Sequence, residues 1–236
     1  MSKHTNRVIE YLIQNPQPNL EFAINTNACP PKETQWKDFV DKIKILEDNN
    51  CIKRFVLFVS AEGKGAQQEY NRYGMDWTMF TDNVKYYLKQ TTGRCVFMSA
   101  FNVLSIPTFL PFLKYVARLK GGYENEIVVD IPYVRSPGFL DAKIASDALI
   151  KEYLHPCIPY MEEKNFNNRE KAQMKRIVKD LDLRHANSDN WKQEAIEGRR
   201  MFYEWIQQYD KRRDLNFLEV FPQMEDFYEE CKKCMI

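Results

Sequence analysis

Polar side chains follow the apolar segments of this sequence, and they are the residues whose types could do chemistry. Asn27 comes just after the first segment, Ser60 and Glu62 end the second, and Asn102 follows the third. Hydroxyl, amide and carboxylate groups gathered at one place can hold a polar small molecule through directed hydrogen bonds. Asparagine and serine also satisfy the backbone of turns, which is the simpler explanation for each residue taken singly. Several polar endings together favour a binding site.

Arg72 lies shortly after the second segment, within the run SAEGKGAQQEYNRYGMDW. A guanidinium group binds carboxylates through two parallel hydrogen bonds. We therefore expect Arg72 to hold the carboxylate of an amino-acid moiety, with Glu62 on its ammonium group or on a ribose hydroxyl. The alternative is a surface ion pair between Arg72 and Glu69 on one helix, which contributes little.

The fourth apolar segment also has a polar ending, formed by Asp130, Tyr133 and Arg135. These three residues are candidates for a substrate pocket. The run IPYVRSPGF contains two prolines and a glycine, so we expect it to be a loop. An ion pair between Asp130 and Arg135, or a capping role for Asp130, is the alternative.

The cysteines give little support for a metal site. The chain has six of them, and only Cys231 and Cys234 lie close together, as a CxxC pair. One such pair supplies two ligands, whereas a closed zinc site needs four. We expect neither a metal site nor a disulfide framework, and Cys231 and Cys234 are the only candidates for metal ligands. Motifs for phosphate-binding loops, dinucleotide binding and zinc proteases are absent.

The segments that must position these residues alternate between two spacings of apolar residues, one typical of strands and one typical of helices. Four short apolar runs, each typical of a strand buried on both faces, span residues 20–26, 54–60, 94–101 and 126–131. Between them, apolar residues recur every three or four positions, which predicts amphipathic helices. Strand, helix and strand in repeated units predict a parallel α/β sheet.

Beyond residue 135 we expect helices only, including one that contains Trp191 and Tyr209 and has Ser188 as its N-cap. The sequence thus predicts two parts, a βα region at 1–135 and a helical region at 136–236. The net charge of +1 argues against a nucleic-acid partner. No apolar run is long enough for a membrane span, and the first residues lack a secretory signal, so we expect a cytoplasmic protein.

Four segments in order resemble those of radical S-adenosylmethionine (SAM) enzymes. AINTNAC resembles the "TNG" strand end of that superfamily, FVSAEGKG its "S-I-D-G" strand end, EYNRYGMDW its "D-x-x-R-G" helix start, and FMSAFNVLS its "T-x-N" strand end. The order and spacing of the four segments are similar to those of the twitch-domain group. The resemblance covers about residues 20–135 and extends weakly into the helical tail.

The resemblance implies an incomplete parallel TIM-type (βα) barrel, with strands three to six of the family, followed by a twitch-like helical region. It implies SAM bound at the carboxyl ends of the strands. A [4Fe–4S] cluster would cleave SAM to a 5′-deoxyadenosyl radical, which abstracts hydrogen from a substrate, either a peptide or a small metabolite. The residues at matching positions, expected to bind SAM, are Asn27, Ser60, Glu62, Arg72 and Asn102.

The chain departs from the family pattern at the cluster. The CxxxCxxC loop after the first strand and the G-G-E motif of the second strand are missing. Because cysteine thiolates hold the iron, we expect this chain to be inactive alone and to need a missing N-terminal segment. The alternative is a non-enzymatic α/β module that binds a small molecule or a partner and has lost the cluster. A further alternative is an unrelated α/β enzyme with similarly polar strand ends.

Overall fold

A computed structural model describes residues 3–186 and 190–235 and shows an α/β protein built on a parallel sheet. Its four strands are β1 (Gln17–Thr26), β2 (Ile52–Ser60), β3 (Arg94–Met98) and β4 (Ile127–Asp130). They lie side by side in chain order, and each neighbouring pair is parallel. The predicted α/β class with four parallel strands is confirmed.

Helices connect the strands and, with the loops between them, make up the rest of the described chain. In chain order they are α1 (Lys3–Gln14), α2 (Glu33–Asp48), α3 (Ala66–Asn71), α4 (Trp77–Gln90), α5 (Phe109–Gly122), α6 (Asp147–Leu149), α7 (Cys157–Glu163), α8 (Asn168–Asp182), α9 (Trp191–Arg213), α10 (Phe217–Val220) and α11 (Glu225–Lys233). Short 3-10 turns at Val103–Thr108, Gly138–Leu140, Ala142–Ile144 and Pro222–Met224, and a wider π turn at Ile150–Leu154, link several of them. The predicted N-cap, Ser188, lies outside the described residues.

The two faces of the sheet are different. One face packs against the helices, and its strand residues Phe55, Leu57 and Phe97 belong to the main core. The other face, which we call the second face, carries a small separate cluster of buried valines, Val56, Val96 and Val128. The hydrophobic residues packed on that cluster, Phe58 and Met98, also come from strands. Right-handed crossovers between successive parallel strands place all connecting helices on one side, which explains the asymmetry.

The bounds of all four strands differ from the prediction, two of them by three residues. β3 was expected to reach residue 101 but ends at Met98, and beyond it the Ser99 hydroxyl donates to the Ala61 carbonyl. Phe101 keeps only an isolated bridge to Tyr133. β1 begins at Gln17 rather than at residue 20, and includes Pro18 on a strand that pairs on one side only.

Helix α8 covers the outer edge of β4. The Glu170 side chain accepts a hydrogen bond from the Val129 amide at 2.7 Å and pairs with Lys120 at 2.8 Å. Glu170 is fully buried. A side-chain carboxylate therefore takes the place of a fifth strand's carbonyl, which is one way that proteins protect sheet edges.

The helical tail packs on the βα region through α3. Tyr70 donates to Asp210 at 2.7 Å, and Tyr209 donates to the Tyr70 carbonyl at 2.6 Å. Phe217 and Phe221 pack against the Tyr70 ring. Residues on both sides of position 135 belong to one buried cluster. Across residues 3–186 and 190–235, no helix combines the length and apolar character that crossing a membrane requires.

Candidate functional site at the carboxyl edge of the sheet

The second face carries different types of side chain at its two edges. At the amino edge, Arg54 pairs with Glu21 at 3.0 Å and with Glu126 at 3.6 Å, and Arg94 reaches Glu126 at 3.4 Å. These charges neutralise one another. At the carboxyl edge, the register places Ser60, Met98 and Asp130 in one row across three strands. An incoming polar ligand therefore meets the Ser60 hydroxyl at the carboxyl edge, where ligands of parallel sheets usually bind, whereas Asp130 is paired with Arg169.

Ser60 is the predicted site residue that the fold leaves most available. It is half-buried and shares the second face with Val56 and Phe58, because side chains alternate along β2. Within the described part of the chain, no protein group makes a hydrogen bond with its hydroxyl. Beside it, the exposed parts of Phe58 and Met98 offer an apolar surface to a flat ring.

Glu62 and Arg72, two of the predicted ligand-binding residues, bind each other. The Arg72 Nε donates to Glu62 at 2.9 Å, and Asn71 donates to the other carboxylate oxygen at 3.0 Å. Glu62 is 3% exposed, whereas the Arg72 side chain is 31% exposed. Burial raises the pKa of Glu62, and the Arg72 charge opposes this shift. The cluster is a buried carboxylate with a partly exposed guanidinium over it.

The alternative, a surface ion pair between Arg72 and Glu69, is not formed, because both side chains have other partners. Glu69 accepts a hydrogen bond from the Trp77 amide at 2.7 Å and so stabilises the start of α4. Arg72 donates to Glu62 from Nε only, and its two terminal amino groups make no hydrogen bond within residues 3–186 and 190–235. Those groups can still take a ligand carboxylate.

The two predicted asparagines serve local turns. Asn102 is buried, accepts from the Leu104 amide at 2.9 Å and donates to the Ala100 carbonyl at 3.1 Å. Asn27 accepts from the Cys29 amide at 3.1 Å. Asn27 also lines a cleft of about 600 Å³ whose walls include residues of α1 and α2, and the other four predicted SAM residues do not line that cleft. The fold thus brings Glu62 and Arg72 together and puts Asn27 elsewhere.

The three substrate-pocket candidates have separate partners. Asp130 accepts from Gln173 at 2.6 Å and from Arg169 at 3.4 Å, so the alternative pair with Arg135 is not formed. Tyr133 donates to Asp141 at 2.5 Å, and burial together with this carboxylate raises the Tyr133 pKa. Arg135 lies over the Tyr133 ring, 5.9 Å from its centroid.

The thiols do not form a metal or cluster site in the described structure. Cys231 is buried and burial raises its pKa, while Cys234 donates to the Glu230 carbonyl of the same helix. Burial likewise raises the pKa of Cys95 and of Cys157 to about 12. Among the described residues, no three His, Cys, Asp or Glu side chains are placed to hold a metal ion. The residues present therefore do not fit an iron–sulfur cluster.

Sequence reasoning missed several residues of this region. Met98 could have been placed beside Ser60 by the alternation within β3. Asn71 contacts Glu62 across one loop, whereas the contacts of Glu170 and Gln173 connect elements far apart in the chain, so no local pattern predicts them.

Comparison with models of known protein families, with curated proteins and with solved structures finds no match. The case for a function therefore depends on the sequence resemblance and on the geometry of this edge of the sheet.

Proposed function

We propose that this chain is the SAM-binding part of a radical SAM enzyme, with the ligand at the carboxyl edge of the second face. The observation that carries the proposal is the row Ser60, Met98 and Asp130, which ends a face whose buried cluster contains only strand side chains among the described residues. A polar edge beside an apolar surface is suited to a ligand that joins a nucleoside to an amino acid. The resemblance to radical SAM enzymes further implies that the parallel sheet is part of an incomplete barrel.

Each of these residues can be assigned to one part of such a ligand. The terminal amino groups of Arg72 would hold the amino-acid carboxylate, while Glu62 behind them accepts from Nε and keeps the guanidinium in place. The Ser60 hydroxyl would bond a polar group of the ligand. Phe58 and Met98 would contact the adenine ring, which is flat and largely apolar on its faces.

The proposal assigns binding to this chain and no redox step. Radical chemistry would need a [4Fe–4S] cluster, and the described residues provide no thiolate set that fits one. We propose that the cluster thiolates belong to a separate partner segment. The radical's substrate, a peptide or a small metabolite, is not identified by this edge of the sheet.

Binding of SAM to the purified chain, measured by isothermal titration calorimetry, tests the proposal. We expect saturable binding, weakened about tenfold by Arg72→Lys, because lysine keeps the charge but loses the paired donors. Ser60→Ala should weaken it about threefold through one lost hydrogen bond. The matched control Arg118→Lys changes an exposed residue of α5 and should have no effect.

Two results would count against the proposal. Absence of SAM binding at millimolar concentration would rule out the proposed function. Binding that Arg72→Lys and Ser60→Ala leave unchanged would show that the ligand lies elsewhere.

A second candidate function is a binding module without radical chemistry. The burial of Cys95, Cys157 and Cys231 at separate places in the core favours it. Adding a segment that carries CxxxCxxC and a reconstituted cluster, anaerobically and with a reductant, separates the two candidates. Formation of 5′-deoxyadenosine from SAM bound to this chain would exclude the module, and SAM binding without that product would favour it.

A further inference from the structure

A second cleft lies between the loop that follows β4 and the first turns of α9. Its volume is about 360 Å³. The loop wall is formed by Arg135, Gly138, Asp141, Lys143 and Ile144, and the helical wall by Trp191, Glu194, Ala195, Glu197, Gly198 and Met201. Small-molecule sites have this size, and here charged side chains from both walls border an apolar surface.

The walls of the cleft are held together by direct contacts. Arg199 of α9 donates from Nε to the Ile144 carbonyl at 2.7 Å. Gly198 faces Ile144 so closely that an added Cβ would lie 2.6 Å from its Cγ2 atom. The cleft is therefore formed before any ligand arrives, which lowers the ordering cost of binding.

The charges on the two walls are unequal. Asp141 already accepts from the Tyr133 hydroxyl and from the Lys143 amide, and Glu197 is paired with Arg200 at 2.7 Å. Arg135, which lies over the Tyr133 ring, and Lys143 form no salt bridge within residues 3–186 and 190–235. The loop wall thus presents two cations without a salt-bridge partner, together with the Asp141 carboxylate, whose two donors are uncharged.

The helical wall supplies the complementary apolar surface. Trp191 and Met201 are partly exposed, and Ala195 lies between their turns of α9. In the same described range, the Trp191 Nε1 donor has no hydrogen-bond acceptor. Glu194 lies on this wall, exposed to solvent, and likewise makes no ion pair with a described residue.

We propose that this cleft binds a small organic carboxylate with a flat apolar body. The carboxylate lies against Arg135 and Lys143, and the ring packs on Trp191 and Met201. The same chemistry is present in a simple aromatic acid and in an aromatic amino acid. The residues that line this cleft are not those proposed to bind SAM, so the inference does not depend on SAM binding.

Calorimetric titration with indole-3-propionate, its neutral amide and L-tryptophan tests the inference. We expect the acid to bind at least about fivefold more tightly than the amide, and its binding to weaken when salt is raised to about 0.5 M. Equal binding of acid and amide, or no binding of the acid at millimolar concentration, would overturn the inference. Tighter binding of L-tryptophan that Glu194→Gln removes would identify amino acids as the ligand source, whereas equal binding would show that the carboxylate suffices.

Variants test the location. Arg135→Gln and Lys143→Gln should each weaken indole-3-propionate binding about three- to fivefold, as expected for partly exposed charge pairs. Lys192→Gln is the matched control, because Lys192 is exposed on the same turn of α9 but does not line the cleft. A loss equal in all three variants would show a general charge effect and contradict the assignment. SAM binding measured on the same variants should not change, so failure here is distinct from failure of the proposed function.

Discussion

The carboxylate of Glu170 accepts a hydrogen bond from the backbone amide of Val129, and this contact closes one edge of the sheet. The other oxygen of Glu170 bonds to Lys120 and to the Asn167 amide, which begins α8. One side chain thus caps a helix, pairs with a buried lysine and terminates a sheet.

The first prediction concerns that residue. Glu170→Ala should lower the free energy of unfolding by about 3–5 kcal/mol, because it leaves Lys120 buried without a counter-charge. Urea denaturation followed by circular dichroism measures the change. Glu163→Ala, an exposed glutamate in α7, is the control and should stay within about 0.5 kcal/mol of the unmodified chain. A loss below about 1 kcal/mol for Glu170→Ala would show that the edge contact is dispensable.

The second prediction is a pH dependence caused by Glu62. Burial raises the pKa of this carboxyl above its ordinary value of 4.5, so the folded chain holds the proton more tightly than the unfolded chain does. The contribution of Glu62 to stability is therefore greatest at or below pH 4.5, and it is lost as the pH rises through the folded pKa. Glu62→Gln lacks this titration.

Urea denaturation of both proteins between about pH 4 and pH 8 measures the effect. The stability of the unmodified chain minus that of Glu62→Gln should fall as the pH rises. Asp82→Asn, at an exposed position of α4, is the matched control for the loss of a surface carboxylate. A constant difference for Glu62→Gln would contradict the raised pKa.

The third prediction concerns the close approach of α9 to the loop after β4. Gly198→Ala should destabilise the chain by about 1–3 kcal/mol, although alanine favours helices, because the new methyl group would overlap Ile144. Thermal unfolding measures it. Gly121→Ala, near the end of α5 where an added Cβ meets nothing within 4 Å, should be neutral or stabilising by up to about 1 kcal/mol. If both variants behave alike, the contact with Ile144 is not a tight one.

The fourth prediction concerns the attachment of the helical tail. Asp210 accepts from the Tyr70 hydroxyl and from the Phe217 amide. Asp210→Ala leaves both donors without that acceptor and should cost about 2–4 kcal/mol. Gln208→Ala, at an exposed position two residues away, should cost little.

The same measurement tests whether the two predicted parts are independent. Because they share a buried cluster, we expect one cooperative unfolding transition, seen alike by fluorescence and by circular dichroism. Two separate transitions, with only one of them shifted in Asp210→Ala, would show that residues 1–135 and 136–236 fold as separate domains.

Much of the sheet could be predicted because its signals are local. The runs that became β2 and β4 are apolar on consecutive residues, and their positions follow from this local pattern. The end of β3 was wrong by three residues, and beyond it the Ser99 hydroxyl bonds to the Ala61 carbonyl, which is distant in the sequence. Local pattern carries no information about such a contact.

The candidate site was less predictable than the sheet for the same reason. Strand order placed Ser60 and Asp130 at one edge, but the contacts of Asp130 with α8 depend on how the tail folds back. The pairing of Glu62 with Arg72 is within reach of sequence reasoning, since the two lie ten residues apart on either side of a loop. A charged residue predicted to bind a ligand can equally bind its neighbour, and only the folded geometry shows which contact is made.

The unequal edges of the sheet limit how copies of this chain could associate through their strands. The β4 side is occupied by α8, whereas β1 hydrogen-bonds to β2 alone within the described residues. A molecule with only one open strand edge can pair with only one other molecule through its sheet. Self-association by this route therefore stops at a dimer. Fibre growth requires a donor and an acceptor edge on every subunit, and the carboxylate of α8 removes one of them.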